Sequence, residues 1–234
     1  MKNIIEVYNA EEVQKIIKML EKGSNVCLLD CGCGLGDLTS KIARRTGANN
    51  AYGVEINKSA TKKAKTNGVN VVLADLNRGL PFKGDLFDVV ISIEMIMYLH
   101  DIDNFIEEIH RVLKHGGYLI ISVQNLSSWH NIFALVQGYQ AFPQQISYRR
   151  RIGNPFYPDY QKKTRVYMER NGIRFGGQST FFTYQGLKEI LELYGYEIKE
   201  LTGSGYLPFT GRLSSILSAL DIKHSYWLIA KAAK

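Results

Sequence analysis

Between residues 26 and 123, short apolar runs alternate with amphipathic segments, and this alternation constrains the fold more than any other feature of the sequence. The apolar runs are nearly continuous, as in strands that are buried on both faces, and the segments between them have helical spacing. Such alternation is typical of parallel strands joined by crossover helices. We therefore expect an α/β fold with a mostly parallel sheet and helices on both of its faces.

The individual elements follow from apolar spacing and from start and stop residues. The predicted strands cover residues 26–30, 50–55, 70–74, 87–93, 118–123, 196–201 and 226–231. The predicted helices cover 37–45, 58–65 and 103–113, the last with Gly116 as its stop signal, and a fourth begins after Thr183 and ends at Gly195. With 234 residues, of which 45% are apolar, the chain is long enough for a single domain with a full core.

The regular alternation stops between residues 124 and 182, where eight glycines and prolines interrupt the pattern. Long connections without periodicity are uncommon inside compact domains and tend to be functional. We therefore predict that residues 124–182 form a cap or substrate insertion, mostly loop and irregular helix, within a single domain spanning 1–234. A shorter irregular stretch, 202–225, is expected to adjoin this cap.

A glycine loop follows the first predicted strand, with Asp30, Gly32, Gly34 and Gly36 in the order D-x-G-x-G-x-G. Glycines let the backbone turn sharply and approach a ligand, and the next helix supplies free N–H groups. Dinucleotide sites have G-x-G-x-x-G instead, whereas Asp37 stands at the third glycine position here. The carboxylate of Asp30 would repel a pyrophosphate but attract an ammonium group. The loop therefore predicts a cofactor that carries positive charge.

Two further acids, Glu55 and Asp75, follow the second and third predicted strands. A carboxylate at the first position can accept hydrogen bonds from both hydroxyls of a ribose, and one at the second from an adenine amino group. Because the carboxyl ends of parallel strands share one edge of a sheet, the three acids are expected to line that edge.

These motifs, together with L-P-F at 80–82, F-D-V-V-I-S at 87–92 and R-V-L-K-H-G-G at 111–117, resemble class I methyltransferases of the ubiquinone/menaquinone, methyltransferase type 11-like kind. The resemblance covers the first half of the chain. It implies a Rossmann-like, seven-stranded sheet with an antiparallel last strand, S-adenosylmethionine as cofactor and S-adenosylhomocysteine as product. Carried over by position, it implies cofactor contacts at Asp30, Gly32, Cys33, Gly34, Glu55, Ile56, Asp75, Leu76 and Ile93, with Ile56 and Leu76 clamping the adenine ring.

The sequence departs from the family after the fourth strand. Many relatives have E-x-x-E-H there, whereas Glu94 is followed by Met95, Met97 and Tyr98, and Tyr98 occupies the histidine position. Any role of that histidine is therefore in question. His115 also replaces the proline of the usual L-K-P-G-G, which changes a turn residue.

Methyl transfer from a sulfonium is an in-line displacement that requires alignment of the reactants and no obligatory catalytic residue. A hydroxyl acceptor does require a general base. His130 and His100 are the candidate bases, and Glu94, Tyr98 and Asn125 are candidate substrate-binding groups at the same sheet edge. A purely structural role is the simpler alternative for each of them taken alone.

Most of the net charge of +7 belongs to the predicted cap, where eight basic residues face two acidic ones and are interleaved with aromatic residues. Arginine and aromatic side chains together can pair with phosphates and stack on rings. We predict that Arg149, Arg150 and Arg151 bind an anionic acceptor, such as a phosphorylated sugar, a lipid head group or nucleic acid. A solvated surface or an oligomer contact is an equal alternative.

The remaining features limit cofactors and location. Cys27, Cys31 and Cys33 lie close together without a second ligand cluster, which favours reduced thiols over a disulfide or a metal site, so no metal is predicted. The first ten residues lack a signal-peptide pattern, and no apolar run is long enough for an integral membrane segment. A cytoplasmic protein is expected.

The predicted function is transfer of a methyl group from S-adenosylmethionine to a small-molecule, glycan or lipid acceptor. One alternative is a catalytically silent cofactor-binding module that serves a partner protein. Another is an RNA methyltransferase, which residues 92–95 disfavour because they read S-I-E-M rather than an N-P-P-Y-like tetrad. Nucleic acid is therefore an unlikely partner, and no oligomeric state is predicted.

Overall fold

The computed structural model describes residues 4–144, 146, 152–156 and 178–234, and their side chains from residue 10 onward. Its strands are β1 Val26–Cys31, β2 Ala48–Glu55, β3 Asn70–Leu73, β4 Phe87–Ile93, β5 Leu113–Gln124, β6 Glu197–Ser204 and β7 Trp227–Ala233. They form one sheet in the order β3-β2-β1-β4-β5-β7-β6. The pairs among β1 to β5 are parallel, and β7 runs antiparallel to β5 and β6. The expected seven-stranded, mostly parallel sheet is confirmed.

Helices and short 3-10 turns connect these strands. The helices are α1 Ile4–Met19, α2 Asp37–Thr46, α3 Lys58–Thr66, α4 Ile102–Val112, α5 Trp129–Val136, α6 Tyr184–Leu193 and α7 Gly211–Leu220. The side chain of Asn57 caps α3, and the Thr183 hydroxyl accepts a hydrogen bond from Gly186 at the start of α6, as its sequence predicts. Helix α4 ends before the predicted stop at Gly116, because Leu113 already pairs with Phe87 in the sheet.

Two helices lie where the sequence was expected to be irregular, and a third had not been predicted. Helix α5 falls within residues 124–182, and α7 falls within 202–225. Helix α1 precedes the sheet and buries Ile16, Met19 and Leu20. The apolar spacing from Val13 to Leu20 is helical and indicates α1 in retrospect.

The sheet has a hydrophobic core on each face. On one face, Phe87 and Leu119 of the sheet pack with Phe105 of α4 and Leu187 of α6. On the other, strand residues pack with helices α1 and α2, and this second cluster includes Leu28, Ile91, Ile120, Ile16 and Ile42. Both faces of the parallel strands are therefore covered, which explains their continuous apolar composition.

The two ends of the predicted cap meet beside the carboxyl end of β5. Asn125 and Phe182 form a parallel bridge, and the Leu126 N–H donates to the Phe182 carbonyl at 2.8 Å. The Gln178 side-chain amide also donates to Gln124 Oε1 at 3.0 Å. The chain therefore leaves the sheet and returns to it at one point. Residues 145, 147–151 and 157–177 lie outside the described ranges.

Removal of the Phe87 ring tests the larger core. Phe87 is fully buried, and its ring centroid lies 5.7 Å from that of Tyr52 and 5.0 Å from that of Phe82. We expect Phe87→Ala to lower the free energy of unfolding by about 3–5 kcal/mol, measured by urea denaturation. Leu86→Ala, at the exposed neighbouring position, is the control and should lose far less. Equal losses in the two variants would contradict this assignment of the core.

Candidate active site

The carboxyl ends of the parallel strands bring the predicted acids to one edge of the sheet. Strand β1 lies between β2 and β4, and Asp30 pairs in register with Gly53 on one side and Ile91 on the other. Glu55 ends β2 two residues beyond Gly53. The loops that follow β1, β2 and β4 therefore surround a common space, as in open α/β sheets that bind ligands at this edge.

The glycine loop is held tightly by the neighbouring strand. The N–H groups of Gly32 and Cys33 both donate to the carbonyl of Val54, at 2.9 and 3.1 Å, and the Gly36 N–H donates to the carbonyl of Cys33 at 2.9 Å. Gly32 and Gly36 have φ values of 88° and 80°, in the left-handed region that favours glycine. The sequence therefore needs glycine at these two turns.

The glycines differ in what surrounds them. A Cβ at Gly32 would lie 2.7 Å from the Met95 side chain, and a Cβ at Gly36 would lie 2.9 Å from the Ala64 Cα. A Cβ at Gly34 would meet nothing within 4 Å. The loop therefore packs against the protein at its two ends and opens to free space at Gly34, which is where a ligand can approach the backbone.

Asp30 is buried at the base of this loop, with 5% of its surface exposed. The Thr39 hydroxyl of α2 donates to Asp30 Oδ2 at 2.5 Å. Burial raises the pKa of Asp30 to about 7; the Thr39 hydrogen bond lowers it, and the nearby charge of Glu55 raises it further. A buried carboxylate with no cationic partner is costly, so the site favours a ligand with positive charge.

Glu55 connects the glycine loop to the start of α3. Its Oε2 accepts from the Gly34 N–H at 3.0 Å, and its Oε1 accepts from the Asn57 N–H at 2.8 Å. The next residue, Ile56, leaves 66% of its surface exposed, although it is large and apolar. A carboxylate beside an open apolar side chain suits a nucleoside, whose sugar is polar and whose base has flat faces.

Asp75 lies at the start of the 3-10 turn Leu76–Arg78 and accepts two hydrogen bonds from Asn77, both at 3.0 Å. These bonds from the Asn77 backbone and side chain lower the pKa of Asp75. Leu76 is buried in the core, and its predicted adenine contact stays a prediction. His100 is exposed, and its charge also lowers the pKa of Asp75. His100 therefore lies at the Asp75 end of the edge.

The side chains of Cys33 and Ile93, which are also predicted cofactor residues, pack against other apolar side chains of the protein. Cys33 is buried against Ala64, Val69 and Val71, and burial raises the pKa of its thiol. Only its backbone faces the loop. Ile93 is half-buried against the cluster beneath α1 and α2. All three cysteines are free thiols, and no group of three or more metal-ligating side chains occurs among the residues that the structure describes.

Two carboxyl groups, that of the buried Glu12 and that of the half-buried Glu94, lie together at the end of β4. Glu94 has a φ of 53°, which is unusual for a residue other than glycine, and its N–H donates to the Ser122 carbonyl at 3.1 Å. Glu12 of α1 is almost completely buried and is hydrogen-bonded to Glu94 and Ser122. Burial raises the pKa of both Glu12 and Glu94, and for Glu12 the charge of Glu94 raises it further. Within the described ranges, Glu12 Oε1 has no hydrogen-bond partner.

Sequence reasoning named Glu94 but missed Glu12. An acid one turn before Ile16, on the apolar side of a helix, is a pattern that points to a buried carboxyl group. Its partner is distant in sequence, so only the folded structure joins the two. Strain at a non-glycine residue is frequent at functional sites, which adds to the interest of Glu94.

His130 lies at the start of α5 in an aromatic setting. Its ring stacks on Tyr226 with centroids 4.9 Å apart, and the Phe142 ring approaches edge-on at 5.0 Å. Burial lowers the pKa of His130 to about 3. A ring with this pKa is a weak proton acceptor near neutral pH, and the role of His130 as a general base stays a prediction.

Asn125 is fully engaged with the protein. Its amide nitrogen donates to the carbonyls of Lys223 and Ser225 at 2.9 and 2.8 Å, and its Oδ1 accepts from the N–H and hydroxyl of Ser127 at 3.0 and 2.8 Å. It therefore fixes the turn after β5, and its contact with an acceptor stays a prediction.

Tyr98 is half-buried against the larger core. Arg149, Arg150 and Arg151 lie outside the described residues.

Comparison with known proteins identifies the domain. Residues 29–121 match a family described as "Methyltransferase domain". Sterol 4-C-methyltransferase strm-1 of Caenorhabditis elegans is 35% identical over 112 residues, which are 45% of this chain and 33% of that protein. The ubiquinone biosynthesis O-methyltransferase of Pelagibacter ubique is 30% identical over 138 residues, which are 57% of this chain and 54% of that protein. Residues 29–121 are therefore similar to the methyltransferase domain family, in agreement with the motifs of the sequence.

The matches to these two relatives span about a third and about half of the relatives' own lengths. The fold of the methyltransferase domain is shared more widely. A S-adenosylmethionine-dependent methyltransferase from Mesorhizobium loti superposes with a TM-score of 0.62 at 16% identity, covering 99% of this chain and 100% of that one. The [4+2]-cyclase SpnF superposes with a TM-score of 0.59 at 19% identity, covering 96% and 80%. Likeness at this level concerns the fold alone.

The family and the fold imply S-adenosylmethionine as the cofactor, and the residues of the methyltransferase domain fit it. The open space at Gly34, the buried carboxyl of Asp30 and the exposed face of Ile56 lie along one edge, as a ligand with an ammonium group, a ribose and an adenine requires.

Substitution of Gly36 and of Gly34 by alanine distinguishes a glycine required for stability from one required for cofactor binding. We expect Gly36→Ala to lower the thermal midpoint of the protein, because its Cβ would collide with the Ala64 backbone. Gly34→Ala should cost only the strain of its φ of 53°, about 1–2 kcal/mol, while weakening S-adenosylmethionine binding at least tenfold in calorimetry. A Gly34→Ala variant that binds as well as the parent would contradict the placement of the ligand.

The raised pKa of Asp30 makes the stability of the ligand-free protein depend on pH. Because the folded state holds this proton up to about pH 7, whereas the unfolded chain loses it near 3.8, the parent loses stability as the pH rises between these values. Asp30→Asn keeps a neutral group there. We expect the difference between the thermal midpoints of Asp30→Asn and the parent to grow by about 10 °C, in favour of the variant, from pH 4.5 to pH 8. Asp37→Asn, at an exposed position nearby, is the control and should lack this rise.

Proposed function

We propose that this chain transfers a methyl group from S-adenosylmethionine to a small-molecule acceptor, with glycans and lipids included in that class. The main support for this proposal is that Asp30 is buried beneath a glycine loop, which is open to free space at Gly34. When bound, the cofactor supplies a methyl group on a positively charged sulfur, which a nucleophile can attack directly.

The residues of this edge have distinct tasks in the proposal. Asp30 balances the positive charge of the cofactor, Glu55 accepts from the ribose hydroxyls, and Asp75 accepts from the adenine amino group. Ile56 covers one face of the adenine ring. For the ribose contact, Glu55 exchanges the hydrogen bond that it accepts from Gly34 for the two hydroxyl donors.

Glu94 is the proton acceptor that we propose for an acceptor with an O–H or N–H group. A Glu94 carboxylate oxygen would take the proton that the O–H or N–H group of the acceptor gives up when it is methylated. Glu12 positions Glu94 through their hydrogen bond. Burial raises the pKa of Glu94, which the hydrogen bond with Glu12 lowers in part, whereas burial lowers the pKa of His130 to about 3. Glu94 is therefore the stronger candidate base.

The alternative is a catalytically silent module that binds the cofactor and serves a partner protein. The similar fold of the [4+2]-cyclase SpnF is the reason for keeping an alternative to methyl transfer, because the same architecture carries a different activity there. No observation in the described residues favours an RNA acceptor.

Calorimetry and labelled methyl transfer test the proposal in two stages. We expect the parent to bind S-adenosylmethionine and Asp30→Ala to bind it at least tenfold more weakly, a difference of about 1.4 kcal/mol. Absence of binding by the parent would overturn both the enzyme and the silent module. Transfer of labelled methyl to a small molecule of a cell extract would support the enzyme, whereas binding without transfer to any fraction would support the silent module.

The fraction of the cell extract that accepts the labelled methyl group can then be used to test whether Glu94 accepts the proton. We expect Glu94→Gln to lower kcat by about 100-fold or more with little change in cofactor affinity, since only proton transfer is lost. Glu12→Ala should move the rise of the rate to higher pH, because it removes the hydrogen bond through which Glu12 lowers the pKa of Glu94. Glu107→Gln, an exposed acid on α4, is the control. Parent-like rates in Glu94→Gln would contradict the role of Glu94.

A further inference from the structure

Helix α7 faces the protein with its small polar side and solvent with its apolar side. It buries Ser214 and Ser218 completely, while Leu213, Ile216 and Leu220 are exposed, Leu220 to 80%. Helices of globular proteins normally bury the apolar stripe. The serines allow a close approach to β6, where a Cβ at Gly203 would lie 2.9 Å from the Ser218 carbonyl oxygen. The apolar row of α7 is therefore left outside.

Helix α5 has the same inverted arrangement. It buries Asn131 and Ala134 and exposes Trp129, Phe133 and Val136, the last to 80%. These three exposed residues lie four and three positions apart, so they form one row along the helix. The side chain of Asn131 is used inside the protein, where it donates to the carbonyl of Asn125 at 3.0 Å.

The two exposed rows meet where α7 ends. The Trp129 indole N–H donates to Asp221 Oδ2 at 2.8 Å, and the Trp129 ring lies 4.4 Å from that of His224. Phe209, just before α7, is also exposed. We name this region the α5/α7 surface; its apolar members are Trp129, Phe133, Val136, Phe209, Leu213, Ile216 and Leu220. Exposed large apolar side chains in such number mark an interaction site.

The charges around the α5/α7 surface identify the kind of partner. Residues 126–144, which contain α5, and residues 201–220, which contain α7, include no Asp or Glu, and the basic residues Arg212 and Lys223 are exposed. The acid at the junction, Asp221, accepts from both Trp129 and Tyr206 and pairs with His224. Exposed tryptophan, phenylalanine and leucine side chains beside exposed basic residues, with no acid in the described residues of α5 and α7, are typical of helices that lie on anionic membranes.

We propose that the α5/α7 surface docks on an anionic phospholipid bilayer, with its apolar side chains at the boundary between head groups and acyl chains. In the described ranges, no helix combines the length and the apolar composition needed to cross a bilayer. The helices would therefore lie along the membrane plane. This proposal does not depend on methyl transfer, since it rests on the exposed surface alone.

Tryptophan fluorescence with vesicles tests the docking directly. The chain has two tryptophans, of which Trp227 is 1% exposed and Trp129 is 47% exposed. We expect vesicles containing phosphatidylglycerol to shift the emission to shorter wavelength, pure phosphatidylcholine vesicles to have a smaller effect, and Trp129→Phe to abolish the shift. Because the attraction is partly electrostatic, added salt should weaken binding.

Substitutions on the surface test which residues dock. In vesicle sedimentation, Phe133→Ser combined with Leu220→Ser should weaken binding by about tenfold or more, because each side chain loses its burial in the membrane. Arg212→Glu should weaken binding to anionic vesicles, whereas Lys62→Glu on α3 should not. Leu193→Ser is the matched control, since Leu193 is 76% exposed on α6 next to Glu192. Circular dichroism checks that each variant folds.

Three results would overturn the proposal. The first is absence of binding of the parent to anionic vesicles. The second is equal binding of the Phe133/Leu220 double variant and the Leu193→Ser control. The third is a concentration-dependent dimer of the parent, measured by light scattering, that does not form in the double variant although the variant binds vesicles as the parent does. The surface would then bind a second copy of the chain.

Discussion

The parallel pairing of β1 with both β2 and β4 is the constraint on which the rest of the site depends. Hydrogen bonding to strands on both sides fixes the carboxyl end of β1, and this restricts the position of Asp30 and of the glycine loop that follows it. The two N–H groups that bind the Val54 carbonyl extend this hold into the loop itself. A loop fixed in this way can present its backbone to a ligand without rearranging, which lowers the entropy cost of binding.

The same edge of the sheet holds groups that do not favour folding. The carboxyl of Asp30 is buried with a raised pKa, the buried Glu12 lies beside the half-buried Glu94, and Glu94 has a left-handed backbone. Each of these features costs free energy in the ligand-free protein. Their concentration at the carboxyl ends of β1 and β4, with a well-packed core on both faces of the sheet, is the pattern expected of a site whose ligand supplies the missing partner.

The second half of the chain differs from the first in how its helices use their faces. Helix α4 buries only apolar residues against the sheet, whereas α5 and α7 bury Asn131, Ser214 and Ser218 and leave large apolar side chains outside. Both inverted helices follow strands of the same sheet, β5 and β6, at their carboxyl ends. The surface that they form therefore begins close to the edge at which the acceptor has to enter.

The sequence by itself determined β1 to β5, the glycine loop and the acids at the strand ends, because strand composition, glycine spacing and capping residues act over a few neighbouring positions. It also predicted the antiparallel last strand through its resemblance to a family. Only the tertiary structure decided that Glu12 meets Glu94, that Asn125 serves the turn after β5, and that α5 and α7 turn their apolar sides outward. These features depend on contacts between residues far apart in the chain. In addition, apolar periodicity predicts that a helix is amphipathic, but it does not predict which side of the helix packs against the sheet.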